Sequence, residues 1–166
     1  MAFYLGGRFP GVNIESHDIQ FYVGKDYKDV LPRIEDNWKG IKSSLHIDSW
    51  VVLDRCDHYE ISLSDQPSQT DLKLYLINVG FYQKQKFGEY HEFVFVVASS
   101  KNDAKKEALT RFDNELIEKH MDDLFDIDDC IEIDKVDKMY VHLKAHDNLE
   151  MNIISNGWQR IPKDIY

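Results

Sequence analysis

The sequence predicts an α+β fold made of two tandem β-β-α-β-β repeats, mainly antiparallel in its sheets, with one helix per repeat and a pseudo-twofold relating them. Three observations predict it. Short polar motifs recur at a constant separation: Glu15-Ser16-His17-Asp18 returns as Glu89-Tyr90-His91-Glu92, and His46-Ile47-Asp48 as His120-Met121-Asp122, each 74 residues on. Runs rich in Val, Ile, Phe and Tyr alternate with polar residues, the pattern of pleated strands with one covered face. Each repeat also holds one stretch in which apolar residues recur at helical spacing.

Repeat one spans residues 1–64. Phe3–Leu5 opens it as a strand, and Ile19, Phe21 and Val23 share one face of the next. Asp26, with Asp29 three residues on, resembles a capping box. Tyr27, Val30, Ile34 and Trp38 then follow at helical spacing, so Pro32 is tolerable only in the first turn. Strands near 49–54 and 58–64 flank a turn at Asp57-His58. Residues 65–71, polar and containing a proline, read as a linker.

Repeat two spans residues 72–145. Leu72–Ile77 is its first strand; Phe93, Phe95 and Val97 mark the second, and Val94 and Val96 make that strand apolar on both faces, which predicts a central position. Ser100 and Asp103 repeat the capping pattern before Ala104, Ala108 and Phe112. Strands near 130–135 and 139–144 flank Asp137-Lys138. The repeat offset drifts: Phe3-Tyr4-Leu5 matches Leu74-Tyr75-Leu76 at 71, whereas Leu53-Asp54-Arg55-Cys56-Asp57 matches Ile133-Asp134-Lys135-Val136-Asp137 at 80. The tail, 146–166, has no counterpart; its Ile153, Ile154 and Trp158 are expected to cover an exposed edge or helix end.

The chain has 166 residues, 43% of them hydrophobic and 13% aromatic, enough for a sizeable core. Thirty acidic residues against 20 basic give a net charge of −10, which repels phosphate backbones and argues against nucleic acid. A basic protein or a small cationic ligand is the electrostatically easier partner. No apolar run reaches the roughly 20 residues of a membrane span, and the N-terminus lacks a signal-peptide pattern. Cys56 and Cys130 make no disulfide framework and read as small buried hydrophobes. Together these features point to the cytoplasm.

The recurring polar set is Glu15, His17, His46 and Asp48, with Glu89, His91, His120 and Asp122. Glu-x-His and His-x-Asp put both side chains on one face of an extended segment. Three roles fit. Each histidine can be a core-edge ring satisfied by a neighbouring carboxylate, since His17 has the parity of Ile19, Phe21 and Val23. The set can bind a ligand, His17, His46, His91 and His120 then holding a divalent metal such as zinc or manganese. Or it can act as a general acid/base pair. The structural role, with no cofactor, is the default.

Other motifs carry less. Leu5-Gly6-Gly7-Arg8-Phe9-Pro10-Gly11 lacks the spacing of a phosphate loop and reads as a tight turn. The acidic run Asp122, Asp123, Asp126, Asp128 and Asp129 lacks EF-hand spacing and reads as a solvated loop. No nucleophile elbow, Cys-x-x-Cys pair or His-Glu-x-x-His helix occurs.

The stretches Tyr4-Leu5-Gly6-Gly7, Ile14-Glu15-Ser16-His17-Asp18 and Leu45-His46-Ile47-Asp48-Ser49-Trp50 resemble the bacterial domain-of-unknown-function family numbered 1543. So do Glu89-Tyr90-His91-Glu92, Phe95-Val96-Val97-Ala98 and the run from His120 to Cys130. The resemblance implies a small bacterial cytoplasmic protein and brings no activity. The expected function is a non-catalytic binding or interaction module, its partner a basic protein of the kind an immunity protein or antitoxin meets, or a small ligand. The runner-up is a metal-dependent hydrolase using the His/carboxylate doublets.

Overall fold

The computed structural model describes residues 1–83, 85–119, 125–147, 152 and 154–161, the side chains of 112–119 and 125 aside. In chain order the elements are β1 (Ala2–Gly7), β2 (Ser16–Phe21), a 3-10 turn (Lys28–Val30), α1 (Leu31–Asn37), a second 3-10 turn (Lys42–Ser44), β3 (His46–Val51), β4 (Arg55–Cys56) and β5 (Tyr59–Ser64). Then follow β6 (Lys73–Phe81), β7 (Tyr90–Ala98), α2 (Lys101–Lys119), β8 (Phe125–Ile133), β9 (Lys135–Val136), β10 (Met139–Ala145) and β11 (Ile154–Arg160). All sheet pairings among these are antiparallel, and with two helices the fold is α+β. Among the described residues no helix is long and apolar enough to cross a membrane.

The chain packs as two units: Met1–Asp54 with Met151–Tyr166, and Arg55–Glu150. This division differs from the division into sequence repeats, because β5 pairs with β10 and β11 pairs with β3.

Unit 1 holds a four-stranded sheet, β11-β3-β1-β2. Phe3 and Leu5 on β1 and Ile47 on β3 point to one face, where they bury against Val30, Leu31, Ile34 and Trp38. Pro32 sits in the first turn of α1, where its missing N–H costs nothing. Asp26 accepts the N–H groups of Lys28 and Asp29 at 2.7 and 3.2 Å and so braces the entry to the 3-10 turn, whereas α1, with Val30 at its N-cap, has no side-chain cap, correcting the capping box expected for this helix. Gly6 and Gly7 lie inside β1, correcting the expectation of a turn at this stretch; Gly11, with φ +78°, lies in the loop beyond.

Unit 2 holds a three-stranded sheet, β7-β6-β8, and a four-stranded one, β4-β5-β10-β9. β6, not β7, is the central strand of the first. Its Leu74, Tyr75, Leu76, Ile77 and Val79 are buried at both parities, as a doubly covered strand requires. On β7, Val96 and Ala98 bury under Ala104 and Ala108 of α2, while Phe93 is exposed. Ser100 accepts the Asp103 N–H and donates its hydroxyl to the Asp103 carboxylate at 2.6 Å, capping α2 as its sequence implies. Asp126, Asp128 and Asp129 belong to β8 rather than to a loop; Asp122 and Asp123 lie outside the described residues. In the second sheet Ser62 stands opposite His142, 80 residues on, and the two hairpin turns place Asp57 and Asp137 at φ +54° and +53°.

Cys56 is buried on β4, and Cys130 is half-buried on β8. Burial, reinforced by the charge of Asp57, pushes the Cys56 thiol up to about 12. The thiolate is the reactive form. At pH 8 alkylation of Cys56 is therefore expected to run at least about 100-fold slower in the native protein than in the unfolded chain, as mapped by mass spectrometry. Equal rates would contradict this. The raised value also means that only the unfolded chain ionises this thiol between about pH 9 and 12, so its contribution to stability fades across that window as pH rises.

Candidate metal centre

β1 alternates its side chains between two faces. Phe3 and Leu5 enter the core, so Tyr4 and Gly6 lie on the opposite face. Gly6 stands between two histidines in the ladder, opposite His17 on β2 and His46 on β3. Residues directly opposite in an antiparallel pair share a face, so both imidazoles rise over the glycine. The β1–β3 register then jumps: Tyr4 faces Ser49 and Leu5 faces Ile47, leaving Asp48 as the extra residue of a β-bulge. Bulges re-aim side chains beside functional sites, and Asp48 turns in beside the two histidines. Glu15 reaches the same place from the loop end preceding β2.

The four side chains form a ring in which imidazole and carboxylate alternate. His17 Nε2 lies 3.4 Å from Asp48 Oδ2 and 3.5 Å from Glu15 Oε1; His46 Nε2 lies 3.4 Å from Asp48 Oδ1 and from Glu15 Oε1. Gly6 creates the space. A Cβ there would stand 2.5 Å from His46 Nε2 and 2.8 Å from Asp48 Oδ2.

The surroundings hold the rings in place. His46 is buried, and its Nδ1 lies 2.9 Å from the Ser44 carbonyl. A carbonyl only accepts, so Nδ1 carries the proton and, in the neutral ring, the Nε2 lone pair faces the carboxylates. This is the arrangement by which a backbone carbonyl orients a metal-binding imidazole. Tyr4 stacks on His17 with ring centroids 4.9 Å apart and planes 5° from parallel. Burial, and then the charge of Asp48, push the Tyr4 phenol above its ordinary range. On β11, Gly157 at φ +131° and Trp158 fall where the β3 ladder skips, and the exposed indole lies 5.6 Å from His46.

The His46 Nε2 lone pair and two carboxylates thus face one another, with His17 Nε2 beside both carboxylates. Asp48 Oδ2 is buried and has no hydrogen bond. An isolated buried acceptor costs about 1–3 kcal/mol, more when charged. A cation offsets that cost. Neighbouring members of the ring lie 3.4–3.5 Å apart, so each carboxylate is within reach of both imidazoles. Glu15 and His17 keep 41% and 35% of their side-chain surface exposed, so the ring is open to solvent on one side.

The second set of sequence candidates divides. Glu89 and His91 come together on the β6–β7 side of unit 2, with His91 Nε2 3.8 Å from Glu89 Oε2. His120 and Asp122 lie outside the described residues. The carboxylate beside His91 is instead Asp128, at 3.0 Å. Asp128, Gly6 and Gly80 are the residues that sequence reasoning missed. The signal for them was present. The offset of 80 seen from Leu53 onward extends back to Ile47/Ile127 and Asp48/Asp128, and the offset of 74 extends back to Gly6/Gly80.

Residues 12–63 and 86–143 match the family model described as Domain of Unknown Function (DUF1543). No curated protein matches the sequence. Among solved structures, the crystal structure of a protein Il1583 from Idiomarina loihiensis is similar, with 35% sequence identity and a TM-score of 0.75 over 98% of this chain and 97% of that one.

Proposed function

The chain belongs to the Domain of Unknown Function (DUF1543) family, and for this member we propose that unit 1 is a binding module for a divalent transition-metal ion, held by Glu15, His17, His46 and Asp48. The Asp48 carboxylate carries the proposal: its buried Oδ2 has no hydrogen bond, and it is set between two imidazoles with a second carboxylate beside them. Two imidazoles with two carboxylates suit zinc first, and manganese next. Calorimetric titration with zinc is expected to give one site in unit 1 that the His46→Ala variant loses. An equal zinc affinity in the variant, with its fold intact by circular dichroism, would exclude the proposal.

The open, solvent-facing side formed by Glu15 and His17 favours a second reading, metal-dependent hydrolysis. An ion held by Glu15, His17, His46 and Asp48 would there supply Lewis acidity to a water on the open side. If the zinc-loaded protein cleaves activated esters and phosphodiesters no faster than His46→Ala, that reading falls while the binding module stands. Beyond the metal, the net charge of −10 favours a basic protein or a small cationic ligand as partner over nucleic acid.

We also read the chain as a duplication about a pseudo-twofold. Gly6–His17 and Gly80–His91 are cross-strand pairs 74 residues apart, and Asp48 and Asp128 are each skipped by the ladder, 80 apart. Ser62 facing His142 at the same offset of 80 supports the duplication.

A further inference from the structure

Unit 2 repeats the geometry with a different donor set. On β6, Gly80 stands opposite His91 on β7 and opposite Asp126 on β8. The ladder skips Asp128, since Asn78 faces Asp129 and Val79 faces Ile127. The bulge turns Asp128 over the glycine. A Cβ on Gly80 would stand 2.5 Å from Asp128 Oδ2 and 2.9 Å from Glu89 Oε1, so space over this strand is again kept by a glycine. One donor atom each from Glu89, His91 and Asp128 lie within 4.8 Å of one another, and all three residues are exposed. Where β3 carries His46 opposite its glycine, β8 carries Asp126, an exposed residue with one oxygen accepting the Ile127 N–H at 2.7 Å.

We propose that Glu89, His91 and Asp128 form a second divalent-cation site, its donors harder than those of the first and suited to an ion such as Mn²⁺. It shares the cation reading of unit 1 but stands on its own donors. Two carboxylates with one imidazole shift preference toward oxygen-seeking ions, and the solvent exposure lets such an ion keep several waters. The protein then holds two unlike ions, a softer one between two imidazoles and a harder one on the carboxylate-rich side of unit 2.

The test is a Mn²⁺ titration followed by the loss of the free-ion electron paramagnetic resonance signal, on the full chain and on His46→Ala, Asp128→Asn and His91→Ala, each checked for fold by circular dichroism. The expected result is one Mn²⁺ site kept by His46→Ala and weakened roughly tenfold or more by Asp128→Asn and by His91→Ala. No Mn²⁺ bound by His46→Ala would overturn the proposal, leaving His91 and Asp128 as a plain hydrogen-bonded pair. So would unchanged Mn²⁺ affinity in both unit 2 variants. If zinc ignores His46 while Mn²⁺ still depends on Asp128, the reading of unit 1 fails and this one stands.

Discussion

A Gly6→Ala variant is expected to lose zinc affinity in unit 1 by on the order of 100-fold while keeping all four donors. The methyl group would stand 2.5 Å from His46 Nε2. Relief requires the imidazole to move, and that ring is buried and tied to the Ser44 carbonyl at 2.9 Å. Asp48 Oδ2, 2.8 Å from the same point, is displaced as well. Calorimetry with zinc reads the loss. Affinity within threefold of the unaltered protein would show that the space over Gly6 is not a ligand site. The backbone at Gly6 is ordinary strand, so alanine adds no conformational strain and folding is expected to survive.

Phe3→Ala is expected to lower the stability of unit 1 by about 3–5 kcal/mol and its melting temperature by on the order of 10 °C. Phe3 is fully buried on a strand with neighbours on both sides, packed edge-on against Tyr22 at 6.1 Å. Its removal leaves a cavity beneath Ile34 and Leu31 that the flanking ladders keep open. Denaturant unfolding measures the loss. A change below about 1 kcal/mol would mean that β1 is not packed as described. Phe3 lies on the face opposite the donors, so zinc stoichiometry of the folded variant is expected to stay at one in unit 1.

The α+β class was legible because its signals are local. Alternation in β2 and β7, the Ser100–Asp103 cap and the Asp57 and Asp137 turns are each written in a few consecutive residues. The central position of β6 was not legible from neighbours alone. Val94 and Val96 look as buried in sequence as Leu74 and Leu76, and only the ladder order tells them apart. The site was half legible. Glu15, His17, His46 and Asp48 are the residues that the sequence pattern picks out, and they converge. In unit 2 the pattern favoured His120 and Asp122 because His-x-Asp is a vivid match, whereas the residue beside His91 is Asp128. A bulge adds one residue to one strand, and the sequence marks it only through the change of repeat offset from 74 to 80. The glycines were misread for a related reason. Gly-Gly is turn chemistry in most contexts, and here the lack of a Cβ serves the space above a strand.

Diffraction recorded at the zinc absorption edge, from crystals of the full chain grown with zinc, tests the central claim most directly. The account predicts an anomalous peak among Glu15, His17, His46 and Asp48, about 2.0–2.1 Å from both Nε2 atoms. A map without that peak, with the four side chains in place and hydrogen-bonded to water instead, would contradict it.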